Sequence, residues 1–448
     1  MLMLVINSID RSYDHDQPFL TKKEKFTMIH YNERLEAGQK IFWSAFIFTF
    51  LITFFSSPNP VSCKEYEAPQ NQRVSDIFPA EVIKGPHYRI RDQVVSYGYM
   101  RHYIVDSDFG VFEVTGDGAL RKLLKEIQAI AILKEVKESK AFGDSVKKAV
   151  KKPIAFGKNL IENPTDTLSG IPKGVNRLFE NIETSITKEH DPSEDARTEQ
   201  ALQVSSYKRE YAYKLGVDVY SSNSVLQKEL NRVGWASAVG SLGLSVITAP
   251  AQSPIVKVGK TMRLGQQINE SLKEEPPSRL RIINSEKLSA MGISQELAEK
   301  YLDHPAFTPR HDVIIVESLA NLTNAKGRDG FIQFALKAED EESANFIQNM
   351  AETMRGYHDT VSPVSQVMIV SGVVVAKAKN GSVLIPFPLD HGVWSEQAER
   401  IITGLVSSIK AKLAPKKIEL WITGTVSPLA RQQLKKLEII EKEEKNVR

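Results

Sequence analysis

The run Ile41–Phe55, IFWSAFIFTFLITFF, constrains this chain more than any other stretch. Fifteen residues without a charge follow Lys40 and break at Ser56-Ser57-Pro58, shortly before Cys63, the single cysteine of the chain. A bilayer-spanning helix needs about 20 apolar residues. This run is shorter and ends in small residues and prolines, as the apolar core and cleavage region of a secretory signal do. The forty residues before it are long for a signal's leading region, and a start at Met28 would leave the short polar segment MIHYNERLEAGQK ahead of the run. The expectation is export, by a signal cut near Val61-Ser62-Cys63. Two other readings stand beside it: a retained N-terminal anchor with Lys40 and Lys64 snorkelling to the two interfaces, or a buried helix. Val-Ser-Cys also resembles the end of a lipobox, with Pro60 where leucine is usual.

Residues 1–63 hold six basic and six acidic residues, so the remainder carries the whole chain's net charge of +3. That balance is no global nucleic-acid footprint. A chain cut after Cys63 has no cysteine, which excludes disulfides, thiolate metal sites and a cysteine nucleophile. Such a chain holds together by its core alone, which 448 residues allow.

Periodicity gives an α+β fold: a small antiparallel sheet with a helix, an amphipathic helical middle, a helical domain, and a C-terminal α/β sandwich with a β-hairpin. After the signal or anchor (1–63), the β-rich domain with its covering helix occupies 64–140. Residues 64–80 read as an extended, partly disordered lead. HYRIRDQVV (87–95), YMRHYIVD (99–106) and GVFEVTG (110–116) are rich in aromatic and β-branched residues and read as strands. From Ala119, leucine and isoleucine at 3–4 spacing with lysine and glutamate between read as an amphipathic helix. HDPSEDART (190–198) reads as a polar linker, followed by a helical segment over 196–270 that contains the uncharged stretch VGWASAVGSLGLSVITAP (233–250). Its small residues at i, i+4 spacing suit close helix packing, in a membrane or in a tight soluble core. A helical domain over 285–360 has Thr308 and Pro309 as N-cap and first helical residue. In the sandwich (361–448), Asn380-Gly381 predicts a type I′ hairpin between 365–379 and 382–388, and Ser427-Pro428 opens the last helix.

Residues 141–190 are basic, amphipathic and segmented. Lys147, Lys148, Lys151, Lys152, Lys158, Lys173 and Arg177 accompany an interrupted apolar stripe that includes Phe179, and Pro153, Pro164 and Pro172 cut it into short pieces. Apolar residues that enter the acyl boundary while lysines meet anionic headgroups make a membrane-surface segment. Short helices packed on the body, with solvated lysines, are the plainer alternative.

Signals for chemistry are weaker. Histidines stand beside aspartates at His190-Asp191, Asp303-His304, His311-Asp312, His358-Asp359 and Asp390-His391. Carboxylate with imidazole suits a divalent metal or a general base, but no two-residue ligand spacing occurs, and capping or solvated roles explain the pairs. Val258-Gly259-Lys260-Thr261 lacks the first glycine of a phosphate loop, having Pro254 there, and Val239-Gly240-Ser241-Leu242-Gly243 lacks the first glycine of a nucleophile elbow. Tyr88, Tyr97, Tyr99 and Tyr103 beside Arg89, Arg91 and Arg101 could stack on single-stranded nucleic acid; in an exported protein they read as sheet packing.

Lys84-Gly85-Pro86-His87-Tyr88-Arg89-Ile90, HYIVDSDFG, the PTDTLSGIPKGVNRLF block and LGVDVYSSN together resemble an uncharacterised family of exported bacterial proteins. The resemblance covers roughly residues 76–250 and, more weakly, the remainder. It implies export and a shared architecture and carries over no functional residue.

The expectation is therefore an exported, non-catalytic envelope protein that meets a membrane surface or an envelope partner through the basic segment. It would be periplasmic after cleavage, or held in the inner membrane by residues 41–57. No cofactor, no metal and no nucleic-acid partner is expected. A metal-dependent envelope hydrolase using the Asp-His pairs, or a purely structural interaction module, are the alternatives.

Overall fold

A computed structural model describes residues 65–68, 71–135, 192–238 and 268–443. The fold is α+β. The N-terminal sheet comprises β1 (Gln72–Arg73), β2 (Lys84–Gly85), β3 (Tyr88–Ile90), β4 (Gln93–Tyr97), β5 (Met100–Ser107) and β6 (Gly110–Thr115). β5 organises it: β4 pairs with its first half, β3 with its second half, and β6 with its other edge, all antiparallel. Its side chains alternate, so Arg101, Tyr103 and Val105 point inward. Tyr103 and Val105 meet Leu120, Leu123, Leu124 and Ile127 of helix α2 (Asp117–Glu135).

The lead differs from its reading as extended and partly disordered. β1, a 3₁₀ turn (Val74–Asp76) and helix α1 (Ala80–Ile83) order it. Val74, Phe78 and Val82, four residues apart, close the same core, and burying each apolar side chain contributes about 1.5–3 kcal/mol. Tyr88 and Tyr103 are core residues and Arg101 is buried, which favours the sheet-packing reading of the Tyr/Arg cluster.

Helices α3 (Pro192–Leu215) and α4 (Ser224–Ala238) form an antiparallel hairpin against α2. Helix begins at Pro192, inside the stretch read as a linker, because Pro fits the first turn, where its missing N–H has no partner to lose. Asn223 opens α4, its side-chain oxygen accepting the N–H groups of Val225 and Leu226. A Cβ on Gly234 would lie 3.1 Å from the Val204 carbonyl oxygen. The small residue therefore serves close α3–α4 packing, and Val233, Gly234, Ala236 and Ser237 are buried in that hairpin.

Helices α5 (Pro277–Ala290), α6 (Gln295–Leu302), α7 (Pro309–Asn321), α8 (Arg328–Ala335) and α9 (Glu341–Thr360) follow. Thr308 caps α7 with Pro309 in its first turn, and His311 completes a capping box. The second sheet contains β7 (Val364–Val370), β8 (Val373–Ala378), β9 (Ser382–Pro386), β11 (Lys417–Ile422) and β13 (Ile439–Glu443), in the order β13-β11-β9-β8-β7. β9, β11 and β13 are parallel, joined by α10 (Glu396–Leu413) and α11 (Pro428–Lys436). The short pair β10 (His391–Gly392) and β12 (Thr425–Val426) lies beyond the ends of β9 and β11. Val374, Ala376, Leu384 and Trp421 face α5–α9 in one core. Val373, Val375, Val383, Ile385 and Ile422 face α10 and α11 in another. The helical region and the sandwich thus share a core across one sheet.

The hairpin differs from its sequence reading. The stretch 365–379 is two strands, turned at Ser371-Gly372, where both residues have positive φ. At Asn380-Gly381 only Gly381 does. The turn with the two left-handed positions is therefore Ser371-Gly372, one strand earlier.

The glycine that precedes α8 has no substitute. Gly327 precedes α8 at φ 75°, and a Cβ there would lie 2.1 Å from the Val367 carbonyl oxygen. Gly327→Ala should lower unfolding stability by about 2–4 kcal/mol, read by urea denaturation; a loss under 1 kcal/mol would show that the α8–β7 contact shifts at little cost.

Candidate functional site

Where β9 and β11 end, the chain turns through residues 387–395 into α10 and through 423–427 into α11. Ligands of open α/β sheets bind in the crevice beyond the carboxyl ends of parallel strands. Here a cavity of about 210 Å³ lies at that edge, lined by Glu67, Gln72, Ser96, His391, Val393 and Ser427 among others. It lies between the N-terminal sheet and the sandwich.

Ser427 is the N-cap of α11, and its oxygen accepts the Ala430 N–H at 3.0 Å. Its hydroxyl donates to Glu67 Oε2, which also accepts the Trp394 N–H at 2.8 Å. Gln72 Oε1 accepts from Arg101 Nε, which leaves its amide NH₂ group as a donor. His391 Nδ1 meets Thr425 Oγ1 at 2.9 Å, which leaves Nε2 for the cavity that the residue lines. Burial, reinforced by the Arg101 charge, lowers the His391 pKa, so the ring is neutral at pH 7.

Beneath the cavity, Asp390 joins the two halves of the molecule. Its carboxylate accepts the Arg101 N–H at 2.8 Å and the Asp117 N–H at 3.0 Å. Burial and then the Asp117 carboxylate push Asp390 up to about 7, against those two donors and Arg101. Asp117 itself pairs with Arg101 at 2.9 Å and accepts from the Tyr103 hydroxyl at 2.6 Å.

The arrangement sets hydrogen-bond donors and acceptors at the mouth of the crevice. Ser427 gives its hydrogen to the Glu67 carboxylate and a lone pair to the helix cap. The Asp-His pairs do not assemble. His304 accepts from the Ala306 N–H after α6, and His358 from the Val364 N–H after α9. His311, buried in α7, accepts the Thr308 N–H at Nδ1, so Nε2 carries the proton and donates to Asn345 Oδ1. Among the described residues no three side chains able to hold a metal come together. His190-Asp191, the Gly259-Lys260-Thr261 loop and the stretch around Ser241 lie outside the described residues.

So do Lys147, Lys148, Lys151, Lys152, Lys158, Lys173, Arg177 and Phe179, the basic-segment residues. The ends of the flanking helices are described. Asn223 donates to Glu126 and Arg232 to the Leu133 carbonyl, so α4 runs parallel to α2. α3 runs back along α4, with Val204 level with Gly234. The end of α2, the start of α3 and the end of α4 therefore share one pole of the three-helix group. Leu202 and Trp235, 47% and 48% exposed, stand near that pole. Among the described residues no helix is long and apolar enough to cross a membrane.

A second polar cluster lies deep between the elements. Lys122 of α2 meets Glu341 at 3.5 Å, Asp218 at 3.6 Å and Glu126 at 4.0 Å. Burial alone would drive its proton off, but Glu341, Asp218 and Glu126 outweigh it and hold its pKa above the ordinary lysine value. Glu126 rises in turn, because its burial exceeds the pull of Lys122 and of its hydrogen bonds. This cluster is a joint, closed to ligands by its burial.

Sequence reasoning missed Glu67, which stands in the lead with no motif around it, and placed Asp390 with His391 where its partners are backbone N–H groups. No family model, no curated protein and no solved structure matches this chain, so the resemblance to exported bacterial proteins gains no support there.

Proposed function

We propose that this is an exported, non-catalytic envelope protein that meets an anionic membrane surface through its basic segment, residues 141–190. The observation that carries the reading is the shared pole. The basic segment leaves after α2 and re-enters at α3, and the uncharged stretch that ends at Pro250 leaves after α4, so both join the body on one side. Exposed Trp235 near that pole suits a membrane interface, where its apolar ring and N–H are both accommodated. Each surface lysine contributes about 1 kcal/mol of attraction to an anionic leaflet.

The test is co-sedimentation with vesicles of phosphatidylcholine containing phosphatidylglycerol, against phosphatidylcholine alone. Binding should require the anionic lipid, weaken with salt, and fall at least about tenfold when Lys147, Lys148, Lys151 and Lys152 are changed to glutamate. Equal retention of the variant and the native chain would sink the reading and leave a structural interaction module.

A further inference from the structure

We propose that the crevice at the ends of β9 and β11 is a carboxylate-binding site which the chain's own Glu67 fills in cis, and which a small carboxylate-bearing ligand, such as an acidic side chain of a peptide, takes by displacing it.

The lead at 65–68 crosses the sandwich as a strap. Glu67 donates its N–H to the Trp394 carbonyl at 2.8 Å, while its side chain accepts from the Trp394 N–H and the Ser427 hydroxyl. The Tyr66 hydroxyl donates to Glu399 at 2.6 Å. Polar contacts carry the strap: Glu65, Tyr66 and Ala68 are exposed, Glu67 is half-buried, and none enters a hydrophobic core. Net hydrogen bonds contribute about 0.5–1.5 kcal/mol each, or 1.5–3 to a charged group. Such a strap is exchangeable, unlike the lead beyond it, where Val74, Phe78 and Val82 are core residues.

The seat itself is made for an anion. Among the described residues Glu67 is the one charged residue lining the cavity, whose other polar linings are Gln72, Ser96, neutral His391 and Ser427. With Glu67 withdrawn, the Trp394 N–H and the Ser427 hydroxyl lose their acceptor, and among the described residues no other carboxylate lines the cavity to replace it. The Gln72 amide, fixed at its oxygen by Arg101, offers a further donor. Beside the seat the cavity of about 210 Å³ leaves room for a small polar body, below the 300–1,000 Å³ typical of drug-sized ligands.

The experiment is rescue of Glu67→Ala in the full chain. The probe is N-acetylglutamate α-methylamide, with one side-chain carboxylate, and its glutamine analogue is the neutral control at constant ionic strength. Calorimetric titration should give millimolar binding of the carboxylate to Glu67→Ala, with a rise in melting temperature and no response to the amide. The native chain should bind at least about tenfold more weakly, because a tethered carboxylate competes at an effective concentration in the millimolar range or above. Ser427→Ala added to Glu67→Ala should abolish the response. Equal binding to the native chain, equal binding of the amide, or no binding to Glu67→Ala would each overturn the proposal. If Glu67→Ala fails to fold, Glu67→Gln serves in its place: its amide oxygen is a weaker occupant, so it must bind the carboxylate probe more tightly than the native chain does, and failure to do so overturns the proposal.

Discussion

Lys122→Met should cost about 3–5 kcal/mol of unfolding stability at pH 7, the loss typical of breaking a buried ion pair by removing one partner. The reason is the company the ammonium keeps. Glu126, Asp218 and Glu341 lie within 4.0 Å of it, and all four side chains are largely buried. Methionine fills a similar volume but leaves three carboxylates without their cation. The loss should shrink as the pH falls from 8 to 5, since Glu126 is already displaced upward by burial and takes up a proton first. Glu126→Gln added to Lys122→Met should recover part of it, because the amide oxygen still accepts from Asn223. Guanidinium denaturation at both pH values is the measurement. A loss below about 1 kcal/mol, the level of an exposed pair, would mean that the cluster is hydrated and contributes little to the joint.

Asp390 gives the protein a pH dependence of defined sign. Its folded pKa of about 7 stands above its ordinary value of 3.8. Between those values the folded chain holds a proton that the unfolded chain has lost, so its contribution to stability is full below pH 4. It falls as the pH rises, and is gone above about 7. Asp390→Asn should flatten that part of the profile. Asp390→Ala should go further and lose about 2–4 kcal/mol, because the Arg101 and Asp117 N–H groups are left without their acceptor. Thermal unfolding of the three proteins from pH 4.5 to 8 separates the effects. An unchanged slope in Asp390→Asn would assign the dependence to other groups.

Much of this was legible locally. The strands β3 to β6 follow from runs of aromatic and β-branched residues, and α7, α10 and α11 begin at the Ser or Thr that caps each of them. A cap or an alternating strand acts within a few residues, so the sequence carries the whole of the cause. Lys122 shows the limit. Spaced between leucines it reads as a solvated lysine, yet α2 is covered on both sides, by the sheet through Leu120, Leu123 and Leu124 and by α4 through Ile130 and Leu133. The lysine then faces inward, where three carboxylates from distant segments meet it. The turn at Ser371-Gly372 escaped notice because an unbroken apolar run hides a bend between two strands that are both buried.

The sequence by itself determined the α+β class and the starts of α7, α10 and α11, because each depends on periodicity and on side chains that bond the nearby backbone. Only the tertiary structure decided that Glu67 seats between Trp394 and Ser427, 327 and 360 residues away, and that Asp390 bonds to Arg101 and Asp117. Those contacts depend on which surfaces the folded core brings together. Their energies come from burial, which no residue possesses until the chain has closed around it.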